Sequence, residues 1–160
     1  SGSTVTRNQE TYTKTGISNL INSTEGVLFV EMASLSDDLT YRILSLSDGT
    51  TNERVYIQYT NASNTVAVVV KNGGSTQANM VYVLSDETQF SKIAIKWKIN
   101  DFAMWVDGVE VGTDTSGSVP LGLNRLAFDN ASATNFFGKV KQLQVYNTAL
   151  SDSELATLTT

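Results

Sequence analysis

The sequence has no cysteine, no histidine and one proline, and only 11 of its 160 residues are lysine or arginine. The missing cysteine excludes disulfides, thiolate metal centres and cysteine nucleophiles. It leaves the redox compartment open, because a domain of this length builds a core without staples. The missing histidine removes the commonest general base and the commonest ligand for zinc or copper. Any bound metal would then be a hard cation such as calcium, held by Asp, Asn and backbone oxygens. A net charge of −5 with no basic cluster argues against nucleic acid as a partner, since phosphate-backbone binding needs a basic patch. No transmembrane span, signal peptide or lipidation motif is visible, so membrane insertion is not expected. Ser1-Gly2-Ser3, without an initiator Met, reads as a cloning remnant. Residues 4–160 then form one domain of a longer parent protein, whose other domains are expected partners.

What is present points to an all-β fold. Hydrophobic residues make up 41% and charged residues 17%, a globular composition with an uncharged polar surface. Short β-branched or aromatic runs recur: Val55–Tyr59, Val66–Val70, Met80–Leu84 and Arg125–Phe128. Between them sit turn clusters at Ser47–Thr50, Thr60–Asn64 and Asn72–Ser75, the rhythm of an antiparallel sandwich or barrel. Pro120 lies in the Gly/Ser-rich loop from Thr113 to Gly122, where it interrupts no strand. Ser151-Asp152-Ser153-Glu154 is a capping box, and Leu155 and Leu158 follow at helical spacing. A short C-terminal helix from about Asp152 is predicted.

The meander from Ile93 to Val111 can be written residue by residue. Asn100-Asp101 and Asp107-Gly108 read as two-residue hairpin loops. That register sets Ile99 opposite Phe102, Trp97 opposite Met104 and Ile95 opposite Val106. Across the second turn Val106 faces Val109 and Met104 faces Val111. All of these are apolar and lie on one face, which becomes the core face. The other face carries Lys98 against Ala103, then Lys96 against Trp105 and Glu110. A one-residue slip would mix the two sets.

These residues resemble a known family. Lys92–Trp97 followed by Ala103–Gly108 is similar to the central hairpin of laminin-G-like jelly rolls, which ends in an aromatic-Val-Asp-Gly turn. Phe137–Leu155 is similar to that family's closing strand and helix, where a Gly-initiated strand ends in an aromatic and Ala-Leu-Ser and a Glu-capped turn follow. The resemblance implies a two-sheet antiparallel jelly-roll sandwich of the concanavalin A-like kind, with ligands on a concave face or at the loop rim. The Thr/Asn/Ser-rich, cysteine-free style is similar to modules of phage tail fibres and bacterial surface adhesins, which implies an extracellular or virion setting. The fold alone hosts lectin-like modules, glucanases and structural parts.

Hydrolases on this fold carry two carboxylates on one strand. That spacing is absent here, and Asp37-Asp38 and Asp86-Glu87 read as solvated turn residues. The protein is therefore read as no enzyme. Two readings exist for the row Lys96, Trp105, Glu110. In one, the indole is a platform for a sugar ring, flanked by charges that bond to hydroxyls. In the other, which ranks ahead, a loop, a terminal segment or a neighbouring subunit covers Trp105. Arg54, Tyr56 and Gln58, opposite in parity to Val55, Ile57 and Tyr59, line the same kind of outward face. Asp129 and Asn130, with Asp48, Asn52 and Asn135 in other loops, are candidate rim ligands for calcium; the competing reading is turn chemistry. The leading expectation is a carbohydrate-binding or adhesion module for a cell-surface glycan or polysaccharide. A structural or oligomerisation module is the alternative, and a polysaccharide-degrading enzyme is the third reading.

Overall fold

The computed structural model describes residues 11–160; the cloning remnant read at residues 1–3 lies outside them. Eleven strands and one helix follow in order: β1 (Thr13–Thr15), β2 (Glu25–Ser34), β3 (Arg42–Ser47), β4 (Arg54–Tyr59), β5 (Thr65–Asn72), β6 (Ser75–Val83), β7 (Ser91–Lys98), β8 (Asp101–Val106), β9 (Val109–Asp114), β10 (Arg125–Ala127), β11 (Gly138–Tyr146) and α1 (Asp152–Thr159). They form two antiparallel sheets, a six-stranded one in the order β1-β10-β3-β4-β5-β6 and a five-stranded one in the order β11-β2-β7-β8-β9. This is the expected jelly-roll sandwich, closed by the predicted helix. Ser151 and Glu154 form the capping box reciprocally.

The core lies between the sheets. Leu44, Leu46, Val55, Ile57, Val66, Val68 and Val70 of one sheet meet Leu28, Val30, Met32, Ile93, Ile95, Trp97 and Met104 of the other, all fully buried. Strand β2 reads as an unbroken apolar run, Val27 to Val30, because both of its faces are covered. Leu28 and Val30 point to the core, while Val27 and Phe29 pack in a second cluster with Leu155 of α1. Trp97 fills the core beside Gly26: a Cβ on Gly26 would stand 2.5 Å from the Trp97 ring and 2.5 Å from the Tyr146 carbonyl. No helix among the described residues is long and apolar enough to cross a membrane.

The hairpin between β7 and β8 corrects the expected register. Lys98 pairs with Asp101, Trp97 with Phe102, Ile95 with Met104 and Ile93 with Val106, so the loop is Ile99-Asn100. Asn100 takes φ +55°, a conformation asparagine tolerates better than most residues. Its backbone N–H donates to Gly117 O and its side-chain oxygen accepts from Gly117 N, both at 3.0 Å. The shift changes every partner but no face, because it moves the pairing by two residues. Ile99 leaves the core face and is 60% exposed. The Asp107-Gly108 turn stands as expected, with Val106 opposite Val109 and Trp105 opposite Glu110. A bulge then sets Met104 against Gly112 rather than Val111.

Candidate functional site

The structure separates the candidate residues onto two different surfaces. Trp105, Lys96 and Glu110 lie on the outer face of the five-stranded sheet. Trp105 is only 7% exposed, packed among Val27, Phe29, Ala94, Ala103 and Leu155. The terminal helix is what covers it, as the covering reading expected. An indole shut under α1 offers no face to a sugar, so the platform reading of Trp105 is corrected. Its Nε1–H is buried without an acceptor among the described residues. Lys96 is cross-strand from Ala103, not Trp105, and its ammonium is 2.6 Å from Asp101. Glu110, on the β9 edge strand, is exposed.

Arg54, Tyr56 and Gln58 lie on the outer face of the six-stranded sheet, the one α1 does not cover. Their parity places them there because Val55, Ile57 and Tyr59 fill the core. The pairing register arranges this face in rows across the strands. One row runs Arg125, Ser47, Arg54, Lys71. The next runs Ala127, Ser45, Tyr56, Val69, Asn79, and a third Ile43, Gln58, Ala67, Val81. The Arg54 guanidinium lies 4.7 Å from the centre of the Tyr56 ring. Tyr56 packs with Ile43 and Val69, and burial raises its phenol pKa.

Tyr41 belongs to the same face, and sequence reasoning missed it. It is 43% exposed and donates from its hydroxyl to Asn61 Oδ1 at 3.0 Å. Its parity with Ile43 and Ser45 was the available signal, masked by Arg42, a cation on the inward side of the strand.

Arg42 points into one end of the sandwich and is 3% exposed. It meets Asp38 at 2.8 Å and stands 4.0 Å from Glu87. Glu87, expected in a solvated turn, is instead 2% exposed, and burial, then the nearby Asp37, raises its pKa. Arg42 Nε, Glu87 Oε2 and the Tyr59 hydroxyl are buried without partners among the described residues. Asp37 accepts from the Ser63 hydroxyl, and Asp86 caps its own turn through Thr88.

The rim oxygens do not fit a calcium site. Both carboxylate oxygens of Asp129 face the Arg125 guanidinium, at 2.9 and 2.7 Å, and one also accepts from Ala131 N. Asn130 Oδ1 accepts from the backbone of Ser132 and Thr134. Asp48 Oδ1 accepts from the backbone and hydroxyl of Thr50. A cation at Asp129 would have to displace a bidentate arginine. The turn reading accounts for these residues. The loop they build lies against the six-stranded sheet: Ser45 donates to Asp129 O and Arg54 Nη1 to Asn130 O, both at 2.7 Å.

Solved structures share this architecture. The carbohydrate-binding module CBM40 of the Ruminococcus gnavus IT-sialidase, bound to α2,3 sialyllactose, is 19% identical, with a TM-score of 0.70 over 87% of this chain and 84% of that one. Domain 4 of AbnA, an extracellular arabinanase of Geobacillus stearothermophilus, in complex with arabinotriose, is 15% identical, with a TM-score of 0.69 over 89% and 69%. The leech intramolecular trans-sialidase is 19% identical, with a TM-score of 0.66, and the match covers 86% of this chain but 23% of that one. No curated protein matches the sequence. The family model described as the concanavalin A-like lectin/glucanases superfamily matches residues 27–156. That span carries both sheets except β1 and most of α1, and by it the chain belongs to the concanavalin A-like lectin/glucanase superfamily.

Proposed function

We propose that this domain is a non-catalytic carbohydrate-binding module and that its ligand lies on the outer face of the six-stranded sheet. The observation that carries the reading is the composition of that face. Tyr41, 43% exposed, supplies aromatic surface, with Tyr56 only 9% exposed on the same face. Gln58 and Asn61 supply amide groups, and Lys71 and the mostly buried Arg54 supply cations, the strand residues among them sitting on β4 and β5, whose opposite sides are locked in the core. Sugars are bound by this mixture of flat apolar surface and a few convergent polar groups. The sialyllactose and arabinotriose complexes of the structural neighbours lend support by fold. The Thr/Ser/Asn-rich, cysteine-free sequence suits a surface protein or phage tail that meets cell-surface glycans.

The test is titration of the folded domain with a panel of oligosaccharides and polysaccharides, by calorimetry and by intrinsic fluorescence. Saturable binding that falls at least tenfold in Tyr41→Ala, with the melting temperature held, supports the reading. Silence across the panel from a folded sample overturns it.

The alternative of an assembly module draws on a separate observation. Edge strand β6 exposes Val81 (54%) and Val83 (65%) beside a backbone edge that no strand among the described residues pairs. Concentration-dependent multimers in light scattering, abolished by Val81→Lys, would favour it.

A further inference from the structure

Arg54 is 7% exposed, and no carboxylate among the described residues pairs with it. The other two described arginines are both paired, Arg42 with Asp38 and Arg125 with Asp129. This is unexpected in a chain where Asp and Glu number 16 against 11 Lys and Arg. Nη1 is satisfied by Asn130 O, Nε is buried with no acceptor, and Nη2 has none among the described residues. Burial lowers the pKa of Arg54, and among the described residues the nearby Tyr56 phenol is the one group that acts against the shift. A buried cation held without a counter-ion is costly, and proteins relieve that cost with a partner.

The surroundings extend the pattern. Lys71, directly across from Arg54 on β5, has no carboxylate partner among the described residues either. Ser47, across on β3, accepts from Gly49 N, and its own proton meets no acceptor among the described residues. The row Arg125, Ser47, Arg54, Lys71 therefore holds three cations against one carboxylate, Asp129. The Tyr56–Val69 row runs beside it, about 7 Å away by the rise of two strand residues. An acidic group at the first row leaves the body of a sugar over the second.

We infer that the ligand of this face carries an anionic substituent, a carboxylate or a sulfate ester, and that the unpaired Nε–Nη2 edge of Arg54 receives it, with Lys71 beside it. The inference rests on the carbohydrate-binding reading and sharpens it. Guanidinium binds such groups through two parallel hydrogen bonds, which lysine cannot reproduce.

The experiment is calorimetric titration with matched pairs: sialyllactose against lactose, oligogalacturonate against its methyl ester, and a sulfated galactan against its desulfated form. The expected result is at least tenfold tighter binding of one acidic member than of its neutral partner, weakening with salt. Arg54→Met should remove that preference, Arg54→Lys should restore part of it, and Lys71→Ala should weaken it by several-fold. The three pairs distinguish a carboxylate from a sulfate ester. Lys71→Ala is the control against misfolding, since Lys71 is half-buried and outside the core. Equal binding of acidic and neutral members, or an undiminished preference in folded Arg54→Met, would overturn the inference and leave carbohydrate binding intact. Binding of no member of any pair would overturn both.

Discussion

Leu155→Ala tests whether α1 is held by packing on the outer face of the five-stranded sheet. An eight-residue helix is not stable alone, so its docking supplies its stability. Leu155 is fully buried against Val27, Phe29, Ala94, Ala103 and Trp105. Truncating a buried leucine costs about 2–5 kcal/mol, the lower end where the site can collapse. Here α1 can settle toward the sheet, and water admitted to the orphaned Trp105 N–H recovers part of the loss. The expected cost is therefore about 2–3 kcal/mol, a fall in melting temperature of about 5–10 °C for a domain of this size. Urea denaturation followed by circular dichroism gives the free energy. Acrylamide quenching gives the local effect, because Trp97 is sealed in the core and any new quenching reports Trp105. A loss below about 0.5 kcal/mol with unchanged quenching would show that α1 does not hold this face closed.

Gly26→Ala should cost about 3 kcal/mol or prevent folding, since its Cβ would overlap both the Trp97 ring and the Tyr146 carbonyl; chemical denaturation measures it. Ile99→Ser should change stability by no more than about 0.5 kcal/mol, because Ile99 sits exposed in the loop; a cost near that of a core isoleucine would restore the Asn100-Asp101 register. Glu87 has a raised pKa in the fold, so the folded state binds its proton more tightly than the unfolded state does. Its contribution is fully present below the unfolded value near 4.5 and is lost as pH rises through the folded value. The stability of Glu87→Gln relative to the parent should accordingly improve as pH rises from about 4.5, and an improvement on lowering the pH instead would refute the assignment. Tyr59→Phe should be neutral or stabilising in the same denaturation assay, because it removes a buried hydroxyl that has no partner among the described residues.

The sandwich, the helix and the inward face of each strand were legible because they rest on parity and capping, which are local. Val55, Ile57 and Tyr59 alternate with Arg54, Tyr56 and Gln58, and the structure keeps that division. What the residues could not carry was what covers each outward face. Trp105 and Tyr56 have equivalent parities; a helix some 50 residues away in sequence buries the first to 7%, and the second, on the face the Asp129-Asn130 loop lies against, is 9% exposed. Charge misled in the same way. Asp129 read as a metal ligand because its arginine partner lies across a loop turn, and Glu87 read as solvated because the turn chemistry of Asp86 is indistinguishable from that of an exposed loop. Tyr41 was hidden by the inward-pointing Arg42, which reverses the usual polarity at the start of β3.

The Ile99-Asn100 loop bears on how the chain selects one pairing over its closest competitor. Sliding β8 by two residues along β7 keeps Ile93, Ile95, Trp97, Phe102, Met104 and Val106 all facing inward, so binary patterning does not discriminate between the two hairpins. In the alignment adopted, Asn100 takes the positive-φ position at the hairpin tip and exchanges two hydrogen bonds with Gly117, polar contacts that hold this tip in place. The native alignment of this hairpin is thus supported by polar geometry at its tip, while the hydrophobic residues supply affinity without choice.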